Sequence, residues 1–437
     1  MIIGVTGPSG VGKTTVSQML SLILGYKKTL IVSGDDLHRW KRGDNNWKKY
    51  THLNPAANNL SKGAADIKSL RENKCIYRKL YNHDAGDFTD LMKISPRKNV
   101  IYEGLHALYN EDIRSLFDFS IYIETDIELK KAWKMKRDTK KRGYTIEQVL
   151  NAINKRVPDE LKYITPQKKY ASAVIEFNKN GDKVELSYRC NDLNNKHILD
   201  ELVELYNKYQ EFLDISEKIY SKKTLSPNKG GNMSFIWNNV LSITSSGIDF
   251  GDVELFNGYT RCDVDTLKKI FSTESRPSME APVHIKMGKN VLHTHPSNVL
   301  AILCCKEAPE ILNEIFEKMP VILDYCTPGK QLSNSIDGKD NIVFARNHGL
   351  FVSSEKNLKE CYEITCEIED RCQRFFRETM SKKYLFPDAY VLKEENDMLH
   401  SFVRDRINEA GLTPLPLSQE HVAELERMEE EKYRRQK

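Results

Sequence analysis

The chain has 437 residues, 40% of them hydrophobic and 29% charged, with a formal net charge of +4. That length suits two domains with a core each, and the near-balanced charge argues against nucleic acid or a membrane surface as partner. No apolar run reaches the ~18 residues of a membrane span, and nine scattered cysteines without C-x-x-C spacing read as reduced thiols of a cytoplasmic protein.

The apolar run Met1 to Val5 predicts a buried strand, and Val16 to Leu24 predicts a helix. Between them, Gly7-Pro-Ser-Gly-Val-Gly-Lys-Thr14 fits the phosphate-binding pattern G-x-x-x-x-G-K-[ST] without a mismatch. Gly7, Ser9, Gly10 and Gly12 would let backbone N–H groups face phosphate oxygens. Lys13 would reach the terminal phosphates, while Thr14, followed by Thr15, would hold Mg²⁺ at the helix start. ATP and Mg²⁺ are therefore the expected ligands of this half. A loop beginning at residue 7 leaves no room for a signal peptide.

Leu30 to Ser33 reads as the next strand, ending in Gly34-Asp35-Asp36-Leu37-His38-Arg39. Open α/β sheets bind ligands past such strand ends, and Asp35 there could accept a proton from an attacking hydroxyl. Thr51 to Asp90 is polar with little periodicity and reads as a substrate-binding excursion; Thr51 to Pro55 and Tyr81 to Gly86 are its notable points. Asn99 to Tyr102 is a strand that ends at Glu103, where an acid can hold Mg²⁺ or its waters. Ile121 to Glu124 is a short strand. Lys130 to Arg142, with Arg137, Asp138 and Arg142, is either a solvated helix face or a mobile basic lid over phosphates. Ala173 to Phe177 reads as a late strand, and Ile198 to Tyr206 as an amphipathic helix closing a first domain near residue 208.

Gly7–Thr14, Gly34 to Arg39, Tyr102-Glu103-Gly104-Leu105-His106 and Arg137-Asp138 with Arg142-Gly143-Tyr144 resemble the phosphoribulokinase/uridine kinase family over residues 1–208. The resemblance implies a P-loop kinase that moves the γ-phosphate of ATP to a sugar hydroxyl. It makes Asp35 the catalytic base, puts Glu103 on the magnesium side, and places Arg137 and Arg142 in a lid. His38-Arg39, Thr51–Pro55 and His83-Asp84 are nearer the phosphoribulokinase branch, where such residues face a sugar phosphate.

Phe212 to Tyr220 predicts a short helix, and Ser221 to Gly231 is rich in turn formers. Asn232 opens a strand, and Val240 to Thr244 is a second one ending in Ser245-Ser246-Gly247. Val291 to Pro296 places His293 and His295 two apart on a strand-like run, so both point to one face. Asn347-His348-Gly349 follows another strand, Asn341 to Phe344. Three neutral imidazoles with an open position suit a catalytic Zn²⁺, while an H-x-H pair is by its spacing alone more often packing or surface than metal. Glu360 to Phe376 reads as an amphipathic helix, and Ser418 to Lys437 as a charged helix or frayed end.

Gly231-Asn232, Ile243–Gly247, Ser278-Met279-Glu280 with His284, His293 to Pro296 and Asn347-His348-Gly349 are similar in order to the class II aldolase/adducin family over residues 209–437. The resemblance implies a mixed α/β fold around a mainly antiparallel sheet, and a homo-oligomer, a ring tetramer, through this half. It puts a divalent transition metal, zinc, on His293, His295 and His348, makes Glu280 the acid/base, and gives Asn232, Ser246, Gly247 and Ser278 to a substrate phosphate. Met279 departs from the family, which commonly has a second phosphate-binding serine there, and Glu274 competes with Glu280.

The whole then reads as an α/β, two-part cytoplasmic enzyme of carbohydrate metabolism. An ATP-dependent sugar or sugar-phosphate kinase joins a metal-dependent sugar-phosphate aldolase, with small molecules as partners and neither nucleic acid nor membrane. A nucleoside kinase fused to a dehydratase or epimerase is the alternative, and an adducin-like scaffold disagrees with the retained histidines.

Overall fold

A computed structural model describes residues 1–82, 85–227, 230–255, 257–272, 274–316, 321–378, 397–413, 415 and 417–428. His83 and Asp84, and the end of the charged tail beyond residue 428, lie outside the described residues, as does the side chain of Arg142. The chain divides into two compact units, Met1–Tyr206 and Asn207–Lys437.

The first unit is built on six strands: β1 (Ile2–Thr6), β2 (Thr29–Ser33), β3 (Asn99–Glu103), β4 (Phe119–Thr125), β5 (Ala173–Asn180) and β6 (Lys183–Cys190). Their spatial order is β6-β5-β4-β1-β3-β2. All neighbours run parallel except the β5–β6 hairpin. β1 lies between two parallel neighbours, which is why all five of its residues are buried and its sequence is almost continuously apolar. Gly4 is needed there because a Cβ would meet the Phe117 ring at 2.5 Å. Helix α1 (Lys13–Ile23) follows β1 and turns Val16, Met19 and Leu20 into the core.

The excursion after β2 is more ordered than its composition suggests. It holds helix α2 (Leu60–Arg71), capped by Asn59 and burying Ile67 and Leu70, and two small antiparallel pairs, Ile76–Arg78 with Met92–Ile94 and Tyr81–Asn82 with Asp87–Phe88. The basic run forms helix α3 (Ile127–Arg142), whose Lys134 and Asp138 are buried, and α4 (Ile146–Asp159) follows through a Thr145/Gln148 capping box.

The two helices expected at Ile198–Tyr206 and Phe212–Tyr220 are one, α5 (Lys196–Ser221). Residues 207–211 contain neither glycine nor proline, so the apolar stripe of Leu202, Tyr206, Tyr209 and Phe212 continues without a break.

Among the described residues the second unit has seven strands: β7 (Asn232–Trp237), β8 (Val240–Thr244), β9 (Tyr259–Asp263), β10 (Asn290–Thr294), β11 (Val321–Leu323), β12 (Ile342–Ala345) and β13 (Gly349–Ser354). The order is β9-β8-β7-β10-β13-β12-β11, antiparallel throughout except for β11–β12. Helix α6 (Ala281–Met287) leads into β10, α7 (Ser297–Leu303) leaves it, and α8 (Leu358–Glu378) follows β13. All nine cysteines are free thiols. No helix among the described residues is long and apolar enough to cross a membrane.

Candidate active sites

In the first unit, β1 ends in the glycine loop. Gly7, Gly10 and Gly12 have φ of 144°, 91° and 90°, which side chains disfavour. A Cβ on Gly7 would lie 2.3 Å from the Ile123 carbonyl oxygen, so the loop is wound tightly against β4. Lys13 Nζ donates to the carbonyls of Gly7 and Pro8, both at 2.9 Å, holding the ammonium at the mouth of the loop. Burial pushes its pKa down, against the opposing fields of Asp35 and Glu103. Ser9 lies half-buried in the loop, and Thr15 half-buried in the first turn of α1.

The strand ends β2 and β3 meet through two glycines. A Cβ on Gly34 would lie 3.3 Å from the Cα of Gly104, and the Gly34 N–H donates to Glu103 O at 2.6 Å. This close approach sets Asp35 beside Glu103. Thr14 Oγ1 donates to Glu103 Oε1 at 3.1 Å, while buried Glu103 Oε2 has no partner among the described residues. Burial, and then the nearby Asp35, raise the Glu103 pKa to about 7. A hydroxyl beside an orphaned buried carboxylate oxygen is a donor set suited to Mg²⁺.

His38 pairs through Nδ1 with Asn58 Oδ1 at 2.8 Å and makes edge contacts with Trp47, His52 and Tyr81. Arg39 is exposed. The Thr51–Pro55 loop is tied down by His106 Nε2 on Leu53 O at 2.8 Å and by Thr51 Oγ1 on Asp159 Oδ2 at 2.6 Å. Arg137 Nε donates to Asp138 Oδ1 at 2.8 Å, and its charge reaches Lys13. Sequence reasoning missed Lys134, which packs 3.3 Å from the Cβ position of Gly10. Burial, then Arg156 and Arg137, push its pKa down to about 7. The run offered only a block of like charges, and the helical phase that turns Lys134 inward depends on what α3 packs against.

In the second unit, sheet register lines up Asn232, His293 and Phe351 across β7, β10 and β13. Nitrogens of His293, His295 and His348 lie within 4.8 Å of one another, and all three residues are buried. His293 Nδ1 lies 3.0 Å from Leu350 O, which requires Nδ1–H and turns the Nε2 lone pair toward His295 Nε2, 3.0 Å away. Burial holds His293 neutral, with a pKa pushed down to about 3. Three converging, buried imidazoles, one oriented by a backbone carbonyl, fit a divalent transition ion. Phe351 stacks on His293 with centroids 3.9 Å apart. Gly349 admits no side chain: a Cβ would lie 2.6 Å from Thr294 O and 2.8 Å from the His295 ring.

Glu280 Oε1 accepts from His348 Nε2 at 2.7 Å, and Oε2 from Asn232 Nδ2 at 2.6 Å, with His293 Nε2 at 3.5 Å. Burial opposes its ionisation, but the His348 imidazole and the hydrogen bonds from His348 and Asn232 outweigh it and hold the carboxyl well below its usual range. Glu274 is committed elsewhere, to the main chain and guanidinium of Arg261 at 2.7 and 2.5 Å. Of the four phosphate candidates, Ser278 lies next to Glu280, whose N–H it accepts at 3.3 Å. Ser246 and Gly247 sit on the turn bridged to Pro277, where the Ser246 N–H is spent on Arg276 O at 2.9 Å. Asn232 faces Glu280, a partnership invisible without the β7–β10 register.

A P-loop α/β domain of kinase type is thus followed by an α/β domain of class II aldolase type. The chain belongs to the phosphoribulokinase/uridine kinase family, whose profile matches residues 2–183, and residues 210–376 match the class II aldolase and adducin N-terminal domain. A phosphoribulokinase of Synechocystis sp. is 40% identical over 176 residues, 40% of this chain and 53% of that one. A uridine kinase of Borrelia turicatae is 33% identical over 190 residues, 42% of this chain and 89% of that one. The chain spans about half the length of the phosphoribulokinases it matches. An N-terminal class II aldolase domain from Thermoplasma acidophilum is 23% identical, with a TM-score of 0.34, over 38% of this chain and 92% of that one.

Proposed function

We propose that the chain is a bifunctional cytoplasmic enzyme. Residues 1–208 would phosphorylate a sugar or sugar-phosphate hydroxyl with ATP, and residues 209–437 would cleave or form a carbon–carbon bond of a sugar phosphate with a divalent metal, zinc, in a tetramer. The observation that carries this reading is that each unit pairs a candidate proton acceptor with a candidate charge-holding set: Asp35 beside Glu103 and Lys13, and Glu280 beside three histidines.

In the first unit, the Asp35 carboxylate takes the proton of the acceptor hydroxyl as it attacks. Lys13 and Arg137 supply positive charge where negative charge develops, with Arg142 as a further lid residue. Thr14 and Glu103 would hold Mg²⁺. His38 and Arg39 would face the acceptor. The 40% identity with a phosphoribulokinase supports a sugar phosphate as acceptor, and the match to nearly the whole length of a uridine kinase makes a nucleoside the second reading.

In the second unit, His293, His295 and His348 would hold the metal, which supplies a Lewis acid for a ketose carbonyl when bound. Glu280 moves the proton, held in place by Asn232 and His348. Ser246, Gly247 and Ser278 would position the substrate phosphate.

The test is an ATP-consumption screen over pentuloses, hexuloses, their phosphates and nucleosides. With the accepted substrate, Lys13→Ala and Asp35→Asn should each cut turnover by about 10² or more, roughly 3 kcal/mol of barrier. Near-normal turnover of folded Asp35→Asn would remove Asp35 as base. For the second unit, elemental analysis of protein purified without chelator should find about one transition ion per chain, lost in His295→Ala.

A further inference from the structure

The chain leaves β10 through His295 and Pro296 and enters α7 directly. The place of the His295 ring therefore depends on how the first turn of α7 is held. Glu369, on α8, is only 2% exposed and reaches that turn. Its Oε1 accepts from Asn298 Nδ2 at 2.7 Å and Asn298 N at 3.1 Å, and its Oε2 from Val299 N at 3.1 Å and Asn298 N at 3.2 Å. Three donors thus converge on one carboxylate inside the protein. Asn298 is 1% exposed, and its Oδ1 has no partner among the described residues, so its amide is oriented by Glu369.

No chemistry proposed above uses Glu369. Burial pushes its pKa up to about 7, despite the donors aimed at it. An acid placed where its ionisation is opposed does something that an apolar side chain of the same size would not. What it does is gather two buried N–H groups of a helix start, only three and four residues past a candidate metal ligand. The ring of His295 is also confined from the other side, by Gly349 on β13. Since α8 follows β13, the two restraints on His295 come from one strand and helix pair.

We infer that Glu369 is a positioning residue of the metal site: it fixes the path of the chain after His295, and through it the third imidazole. This rests on the reading of His293, His295 and His348 as metal ligands. Outer partners of metal ligands typically set affinity by 10- to 100-fold, and the one-helix-turn distance here puts the expectation at about tenfold.

The experiment uses the full chain, with Zn²⁺ affinity measured against a competing chelator and the visible spectrum recorded with Co²⁺. Glu369→Gln keeps the shape but sets an amide N–H₂ against backbone donors. It should bind Zn²⁺ about tenfold more weakly and shift the Co²⁺ bands, with circular dichroism unchanged. Thr365→Ala lies on the same helix and removes only a bond to Cys361 O; it should leave both metal readouts as in the wild type. If Glu369→Gln does not fold, Asn298→Ala decides, because it removes only the 2.7 Å bond from the amide. A several-fold weaker Zn²⁺ affinity in that variant supports the role, and an undiminished one overturns it. Equal losses in Glu369→Gln and Thr365→Ala, or wild-type affinity in folded Glu369→Gln, also overturn it. A wild-type protein that binds neither ion overturns the metal-site reading itself, which sets that failure apart from the others.

Discussion

Glu103 shows what a single buried group does to pH dependence. Its carboxyl, ordinarily near 4.5, has its pKa raised to about 7 in the fold, first by burial and then by Asp35. A raised acid favours the protonated form in the folded state. The stability it allows is therefore full below the unfolded value and is lost as pH rises through about 7. In Mg²⁺-free protein, Glu103→Gln should melt at nearly the wild-type temperature at pH 5 and above it at pH 8. The difference at pH 8 is at most about 3 kcal/mol. Calorimetry at the two pH values checks this, and equal shifts at both would remove the buried charge as cause. Loading with Mg²⁺ and nucleotide should bring wild type and variant together at pH 8, since the cation stabilises the ionised form that burial opposes. The identity of the acid was legible in Tyr102-Glu103-Gly104. Its burial was not, because that follows from β3 lying between β1 and β2.

At the scale of elements, the strand pair β10–β13 brings together the candidate metal ligands, His293 on β10 with His295 and His348 just beyond the strand ends, and its close approach depends on one glycine. In Gly349→Ala the new methyl would meet a backbone oxygen at 2.6 Å, a contact that no side-chain rotation relieves. We expect a loss of about 2 to 4 kcal/mol in unfolding free energy, together with loss of bound metal as the His293 and His295 rings are pushed apart. Denaturant titration and metal content measure the two effects, and unchanged values for both would show that the strands can yield. The histidine spacing of two and the Asn-His-Gly turn were readable as local patterns. That these two stretches pair in the register His293–Phe351 was not, since strand pairing is a long-range choice made by packing. The same limit explains α5. Its two apolar halves each read as a helix, and continuity through residues 207–211 emerged only from the buried stripe that runs across them.

At the scale of the whole molecule, the chemistry of the two halves suggests an order. The second unit is read as gripping a substrate phosphate, and the first as adding one, so phosphorylation would come first and carbon–carbon cleavage second. Glu280→Gln tests this by stopping proton transfer in the second unit while leaving the P-loop unaltered. Given ATP and the accepted sugar, the variant should accumulate a phosphorylated ketose that the wild type consumes, as followed by mass spectrometry. Identical final products from both would reverse or remove the order. The sequence by itself determined the two kinds of domain and most candidate groups. The P-loop, the acid at a strand end and the histidine pair are local spacings of the kind that phosphate or metal binding calls for. Only the tertiary structure decided how those groups are partnered. Asn232 turns to Glu280, Glu274 is spent on Arg261, Lys134 lies under the glycine loop, and Glu369 holds Asn298. Each of these contacts joins residues far apart in the chain, and burial, register and helix phase, rather than residue type, select them.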